Sequence, residues 1–344
     1  MYFDEIDFIK AIAIISVILL HTIPSDKLLL ILAPFHIWHA VPVFIMIAGI
    51  NSTLSINRRG EFNFYSEYSF NRITKYIQRL LLSYSIIWSF EIVVLIIQNN
   101  ASFPKLISSY IMGGFGPGSY FTPLFVQHLI LFPLIIFIKN SLQNKFKIND
   151  RLILFLFFSF SIFLEYFCIY LDVSSDLYRL LYVRYLFSAI LGHYLVCNIL
   201  DKKILVFGSL FSFFYILVVS YFKVRFSVIY PAWGFQHAPA FFYTILIIYF
   251  LWLFYSRLQK MGPSFLPIGK ASYHIFLCQM MWFWKPAHVV LNLLKNTIDN
   301  KGCIAILYLG INLVVCLLTG LFFLNFNKLY FRHGENKMLT KRSS

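Results

Sequence analysis

A lysine and a histidine lie at opposite ends of one apolar run near the start of the chain. The run is DFIKAIAIISVILLHT, residues 7–22, and between Lys10 and His21 its only polar side chain is Ser16. Eleven residues at about 100° each make three turns plus roughly 20°, so both side chains should share one helix face, about 16 Å apart along the axis. Histidine is a common general base, and a cation at the other end of its helix can hold an anion.

Two glutamates in other apolar runs could orient this histidine. Glu91 and Glu165 should enter the bundle from the same side as Lys10 and reach a depth similar to that of His21. A carboxylate beside an imidazole orients the ring and stabilises its cation. We predict that His21, Glu91 and Glu165 are catalytic. The alternatives are a histidine hydrogen-bonded to a neighbouring helix and carboxylates with structural roles.

Three cations follow in RITKYIQRLLLSYSIIW, residues 72–88. Arg72, Lys75 and Arg79 are spaced three and four apart, which places them on one helix face at a predicted membrane boundary. Cations in this arrangement suit phosphate groups, so we predict that they bind a phosphorylated ligand together with Lys10. A basic anchor that only fixes topology is the other interpretation.

Two further histidines, His36 and His39, lie in PFHIWHAVPVFIMIAGIN, residues 34–51. The predicted topology places them at the same outer end as Tyr120, and we expect these three residues to line a pocket for substrate. Their spacing is compatible with a metal ion, but a suitable third ligand is absent from the nearby sequence, so no metal site is predicted.

The composition requires a membrane bundle to carry these residues. The chain has 344 residues, of which 60% are hydrophobic, 20% aromatic and 12% charged, and this composition excludes an ordinary water-soluble domain. We predict an all-α polytopic bundle of about ten transmembrane helices in one domain, residues 1–330, with a short basic tail at 331–344. The five cysteines lie in apolar windows without a CxxC pair, which favours packing roles. The predicted spans are 8–24, 38–56, 80–98, 121–138, 152–171, 181–199, 204–222, 238–256, 271–293 and 303–325.

The net charge of +15 follows this predicted topology. With the N-terminus in the cytoplasm, 19 of the 29 lysines and arginines fall in inner loops and the C-terminal tail, 9 fall outside, and Lys10 lies within a span. This bias follows the positive-inside rule, so we place both termini in the cytoplasm and the protein in the inner (plasma) membrane. The basicity therefore gives no reason to expect a nucleic-acid partner.

Several motifs resemble those of the membrane acyltransferase-3 family, in the same order along the chain. Lys10-x10-His21 is similar to the family's opening Lys/Arg-x10-His signature, and FHIWHAVPVFIMIAGI resembles FH-x-PLFFxxSG with Ala48 in place of serine. KYIQRLLLSYSIIW resembles KRxxRxxxPYxxW, with Ser83 replacing proline, and SYFTPLFVQHLILFPLI resembles WFLxxLxxxYLLxPLI, with Tyr120 replacing tryptophan. The segment YVRYLFSAILGHYL resembles the family's YFxxFLLGxYL motif. The segment IGKASYHIFLCQ resembles GKxSYxIYLxH, except that Gln279 stands where the family often has histidine. The resemblance covers about residues 4–325.

The resemblance implies an enzyme that moves an acyl group, commonly acetyl, from cytoplasmic acyl-CoA to a hydroxyl of a glycan or lipid-linked saccharide. Lys10 and the other cations would hold the charged end of CoA. His21 would act as general base on the acceptor hydroxyl, or as an acylated relay, near the outer membrane face. Two other classes remain open: a saccharide exporter or flippase without acyl transfer, and a proton-coupled transporter that uses His21 with a glutamate. Visible inverted repeats, which would favour the transporter, are absent from the sequence.

Overall fold

A computed structural model describes residues 3–60, 62–99, 101–232, 236–258 and 262–340, with side chains as far as residue 329. Within these ranges every regular element is helical. The α-helices are α1 (Asp4–Thr22), α2 (Ser25–Leu30), α3 (Ala40–Asn57), α4 (Phe64–Glu67), α5 (Phe70–Ile97), α6 (Phe103–Met112), α7 (Phe121–Phe146), α8 (Asp150–Tyr170), α9 (Ser175–Tyr178), α10 (Leu186–Val196), α11 (Lys202–Ser220), α12 (Phe241–Arg257), α13 (Gly262–Lys270), α14 (Ser272–Trp284), α15 (Pro286–Thr297) and α16 (Lys301–Thr340). Short 3₁₀ turns precede α3, α10 and α12.

The predicted all-α polytopic bundle is confirmed, and the count of about ten spans is approximate. Among the described residues, seven helical segments are long and apolar enough to cross a membrane. They are Ala33–Asn57, Phe64–Ile97, Phe121–Phe146, Asp150–Tyr170, Lys202–Ser220, Ala238–Arg257 and Lys301–Leu329.

The other three predicted spans are not among these seven segments, and each has its own physical reason. Helix α1 is continuous over 19 residues, but its first turns carry three acidic residues and Lys10. Predicted span 181–199 contains α10, which is only 11 residues long and follows a 3₁₀ turn. Predicted span 271–293 breaks at Lys285, where the backbone leaves the helical region between α14 and α15.

Helix α3 belongs to the most buried of the seven segments, and glycine lets it approach α10 closely. An added methyl group at Gly49 would lie 2.2 Å from the Ala189 carbonyl oxygen, and one at Gly192 would lie 2.3 Å from that of Met46. Small residues at helix crossings allow such backbone contact inside membranes. The central pair α3–α10 is therefore packed through its backbone.

Two other close contacts position the functional residues. At Gly269, the start of α1 meets α13 so closely that an added methyl group would lie 1.8 Å from the Asp7 carbonyl oxygen. Helix α14 crosses α16 at Gly320, where the same methyl group would lie 2.4 Å from the Ile275 α-carbon. The first contact holds α13 against the start of α1, and the second holds α14 against α16.

Candidate functional site

A cavity of about 1070 Å³ lies at the end of the bundle where α1 begins. Four cationic residues line it, and we call this the basic end. They are Lys10, Arg79, Lys270 and Lys328. They come from four different helices, so the positive charge is concentrated by the fold and not by one sequence segment.

The contact between α1 and α13 brings two of these cations together. Gly269 packs against the Asp7 backbone, and the next residue, Lys270, therefore enters the cavity beside Lys10. The buried carboxylate of Asp7 pairs with the Lys10 ammonium at 2.6 Å, one helical turn away. This ion pair holds Lys10 at the cavity wall.

Polar side chains from three helices complete the wall. The Asn327 amide nitrogen donates to Ser83 Oγ at 2.5 Å and bonds His274 Nε2 at 2.9 Å, and all three residues line the cavity. The Tyr273 hydroxyl donates to the Leu80 carbonyl oxygen at 3.1 Å and ties α14 to α5. Sequence reasoning missed Lys270, Lys328, His274 and Asn327 as site residues, although Lys270 belongs to the quoted IGKASYHIFLCQ motif.

The three predicted cations of α5 have different surroundings. Arg79 lines the large cavity, whereas Arg72 forms an ion pair with Glu67 and lines a separate cavity of about 330 Å³. Lys75 is exposed and is not among the described residues that line either cavity. The predicted joint binding of a phosphorylated ligand by all three cations stays a prediction, and helical spacing could not show that Glu67 would pair with Arg72.

Lys10 and His21 lie in one uninterrupted helix, as the spacing predicts. His21 is half-buried, and its ring packs against Phe283 of α14, with the ring centroids 5.7 Å apart. The described residues that line the large cavity do not include His21. We call the part of the bundle around His21 and Phe283 the histidine end. The basic end and the histidine end are two separate parts of the candidate site, about three helical turns apart.

Glu165 has a different histidine partner from the one predicted. Its Oε1 lies 2.7 Å from His237 Nδ1, while its Oε2 accepts from the Tyr178 hydroxyl at 2.6 Å and the Tyr230 backbone N–H at 3.2 Å. The second nitrogen of the His237 ring bonds the Ala232 carbonyl oxygen at 3.1 Å. The structure thus pairs Glu165 with His237 and not with His21. This pairing could not be predicted from the spacing, because His237 lies in a loop outside the predicted spans.

A buried arginine adjoins this pair. The Arg184 guanidinium lies 5.2 Å from the Tyr178 ring centroid and 4.5 Å from that of Tyr185, and it donates to Gln236 Oε1 at 3.0 Å. The Tyr185 hydroxyl donates to the same oxygen at 2.5 Å and also hydrogen-bonds Tyr120. Tyr120 therefore belongs to a buried polar network.

The predicted substrate group is only partly exposed. His39 is buried, and its Nδ1 lies 2.9 Å from Thr244 Oγ1, whereas His36 is exposed in the neighbouring 3₁₀ segment. The network reaches this segment because the Gln236 amide donates to the Trp38 carbonyl oxygen at 3.4 Å. The structure therefore brings Tyr120 and the His36–His39 segment to one region, with only His36 open to solvent.

Glu91 lies beneath a glycine-rich segment that we call the glycine loop, residues 113–119. Three glycines of this loop have positive φ angles, which lets the chain turn tightly over the carboxylate. Glu91 is fully buried, and its Oε2 accepts from the Phe115 backbone N–H at 3.3 Å. The Phe115 ring stacks on Trp284, with centroids 5.3 Å apart, which joins the loop to α14.

Metal ligation does not account for these clusters. In the described part of the chain, no group of three or more histidine, cysteine, aspartate or glutamate residues is arranged to hold a metal ion. The described residues form a membrane-embedded helical bundle with a large cationic cavity at the basic end and a histidine about three turns further along α1.

Residues 3–327 match the acyltransferase-3 family, described as an acyltransferase domain. The chain therefore belongs to the acyltransferase-3 family of multi-pass membrane acyltransferases. Comparisons with curated proteins and with solved structures give no match.

Proposed function

We propose that the protein transfers an acyl group, in the form of acetyl, from cytoplasmic acyl-CoA to a hydroxyl of a cell-surface glycan or lipid-linked saccharide. One observation carries the proposal: four cations from four helices line a single cavity of about 1070 Å³. Acyl-CoA has phosphates at one end and a thioester at the other, and phosphates bind lysine and arginine through charge-assisted hydrogen bonds.

The positions of His21 and Lys10 fit the shape of this donor. Lys10 lies at the cavity, and His21 lies about 16 Å further along the same helix. In the proposed complex, the phosphates bind at the basic end and the pantetheine arm extends along α1 toward His21. The positive-inside bias favours a cytoplasmic basic end, so the donor would enter from the cytoplasm.

The proposed chemistry needs one proton acceptor. The His21 imidazole takes the proton from the acceptor hydroxyl while the hydroxyl oxygen attacks the thioester carbonyl carbon. The carbon–sulfur bond then breaks, and the CoA thiolate takes the proton back from the imidazolium. The products are an acyl ester and free CoA. Surrounding apolar residues would limit hydrolysis of the thioester by water.

Sealed inside-out vesicles test the reaction and its sidedness together. Labelled acetyl-CoA is added outside, and a panel of saccharides is held either in the lumen or outside. We expect label on the lumenal saccharide, because His21 lies roughly two-thirds of the way through a hydrocarbon core of about 30 Å. Label only on saccharide outside would contradict transfer across the membrane. Saccharide movement without acyl transfer would favour an exporter and overturn the enzymatic proposal.

A further inference from the structure

Two fully buried side chains at the histidine end have polar atoms without a protein partner. In the described residues, neither the nitrogen nor the oxygen of the Gln279 amide has a hydrogen-bond partner, and the same holds for Glu91 Oε1. An unpaired buried polar group costs about 1–3 kcal/mol, so such groups are rare. Three such atoms in one region are positions at which a ligand can supply the missing hydrogen bonds.

Both side chains adjoin the glycine loop. The loop's Phe115 N–H donates to Glu91 Oε2, and an added methyl group at Gly118 would lie 3.8 Å from the Gln279 amide nitrogen. Between these two points the loop packs on Met280, the residue that follows Gln279. The loop therefore joins Glu91 of α5 to Gln279 of α14.

His21 lies next to the same stretch of α14. Phe283, which packs against His21, is four residues after Gln279 and so lies on the same face of α14. Glu91 is twelve residues beyond Arg79, or about 18 Å along α5 from the basic end, and His21 lies about 16 Å from Lys10. The unpartnered groups thus lie at the depth of the proposed base.

We propose that Glu91 and Gln279 bind hydroxyl groups of the saccharide acceptor and hold one of them for attack. The inference rests on the proposed function and names the acceptor's chemistry: a neutral polyhydroxyl sugar ring. A hydroxyl both donates and accepts, so it satisfies a carboxylate oxygen and an amide nitrogen together. A thioester carbonyl only accepts and would leave Glu91 unpaired. An anionic group would be repelled by the carboxylate.

The experiment compares the Michaelis constants of the two substrates in Glu91→Gln and Gln279→Leu. We expect the acceptor constant to rise about tenfold or more in each variant, the effect of losing a hydrogen bond worth roughly 1.5 kcal/mol. The acyl-CoA constant should stay within about twofold. The melting temperature of Gln279→Leu should be equal to that of the wild type or higher, because leucine leaves no unpaired amide.

Gln127→Leu is the matched control. The Gln127 amide nitrogen donates to the Leu180 carbonyl oxygen at 2.7 Å, and its oxygen accepts from the Tyr182 N–H at 3.0 Å. This variant should melt at a lower temperature and keep the acceptor Michaelis constant. An unchanged acceptor constant in Glu91→Gln and Gln279→Leu overturns the inference. A lower melting temperature for Gln279→Leu, matching that of Gln127→Leu, also overturns it.

A binding measurement separates this inference from the proposed function. Methyl glucoside, galactoside and N-acetylglucosaminide at millimolar concentration should raise the melting temperature of the wild type through binding, but not those of the two variants. If the wild type transfers no acyl group and the glycoside shift is still lost in both variants, the sugar site stands and the acyltransferase proposal fails. If transfer occurs while wild type and variants show equal shifts, the sugar site fails and the acyltransferase proposal stands.

Discussion

Two buried glutamates in this bundle have opposite surroundings. Each oxygen of Glu165 has a partner: His237 pairs with one, and Tyr178 and the Tyr230 N–H donate to the other. Glu91 has one backbone bond at 3.3 Å, and its second oxygen is unpartnered in the described residues. A buried carboxylate whose oxygens all have protein partners has no position left for a ligand, whereas one with an open oxygen does.

The two histidines of these regions show the same contrast. Both ring nitrogens of His237 have hydrogen-bond partners, so the ring is fixed in its place. His21 is half-buried beside Phe283. Sequence position alone treats the two glutamates as equivalent candidates, and only their contacts distinguish the fully partnered Glu165 from Glu91 with its open oxygen.

The largest expected effect comes from the two histidines. His21→Ala should lower the rate of acyl transfer by about 10² to 10⁴, because a general base is lost, with little change in melting temperature. His237→Ala should instead lower the melting temperature, because it leaves the buried Glu165 Oε1 without its partner. Single-turnover rates and thermal melts in detergent measure both. A twofold loss of rate in His21→Ala would contradict its assignment as base.

Exchanging each glutamate for leucine tests the comparison directly. Glu165→Leu should cost at least about 3 kcal/mol of stability, because His237, the Tyr178 hydroxyl and the Tyr230 N–H lose a buried hydrogen-bond partner, at about 1–3 kcal/mol for each group left unpaired. Glu91→Leu should cost much less, because its carboxylate makes a single long hydrogen bond. Thermal melts of both variants at equal protein and detergent concentration measure the difference. Equal losses of stability in Glu165→Leu and Glu91→Leu would contradict the distinction between the two glutamates.

The cations of α5 extend the comparison to the basic end. Arg79→Ala should raise the Michaelis constant for acyl-CoA by about 10- to 100-fold, because a charged hydrogen bond is worth about 1.5–3 kcal/mol. Arg79→Lys should be milder, since lysine keeps the charge but loses the planar fork. Lys75→Ala, at an exposed position off the cavity, is the matched control and should change the constant less than twofold. Equal changes of the acyl-CoA Michaelis constant in Arg79→Ala and Lys75→Ala would indicate that these cations only fix the membrane topology.

The smallest expected effect concerns the packing that positions Lys270. Gly269→Ala should cost about 1–3 kcal/mol, because its methyl group would overlap the Asp7 carbonyl oxygen and force α13 away from α1. Gly310→Ala on α16 should be neutral or stabilise by up to about 1 kcal/mol, because a methyl group there meets nothing within 4 Å. Melting temperatures of the two variants measure the contrast. A stable Gly269→Ala variant with normal acyl-CoA affinity would show that this contact does not hold the cavity.

Local periodicity explains which features could be predicted from the sequence. The Lys10–His21 helix follows from spacing, and the helical bundle follows from recurrent apolar runs. The partners of Glu165 and Arg72 could not be predicted, because they depend on which loop or short helix folds back over the span. Three-dimensional packing brought His237 from a loop to Glu165, and no spacing rule encodes such a contact. The unpaired amide of Gln279 was equally hidden, although its departure from the family's histidine marked the position.

The backbone contact between α3 and α10 also constrains how the molecule can move. Added methyl groups at Gly49 and Gly192 would overlap main-chain oxygens of the facing helix, so this seam has no spare width for a side chain. Alternating access would have to swing α3 and α10 as a single unit against the helices around them. A saccharide that crossed the bilayer would therefore travel around this pair and not between its two helices. In the proposed reaction, an acyl group delivered along α1 would need no such rearrangement of α3 and α10.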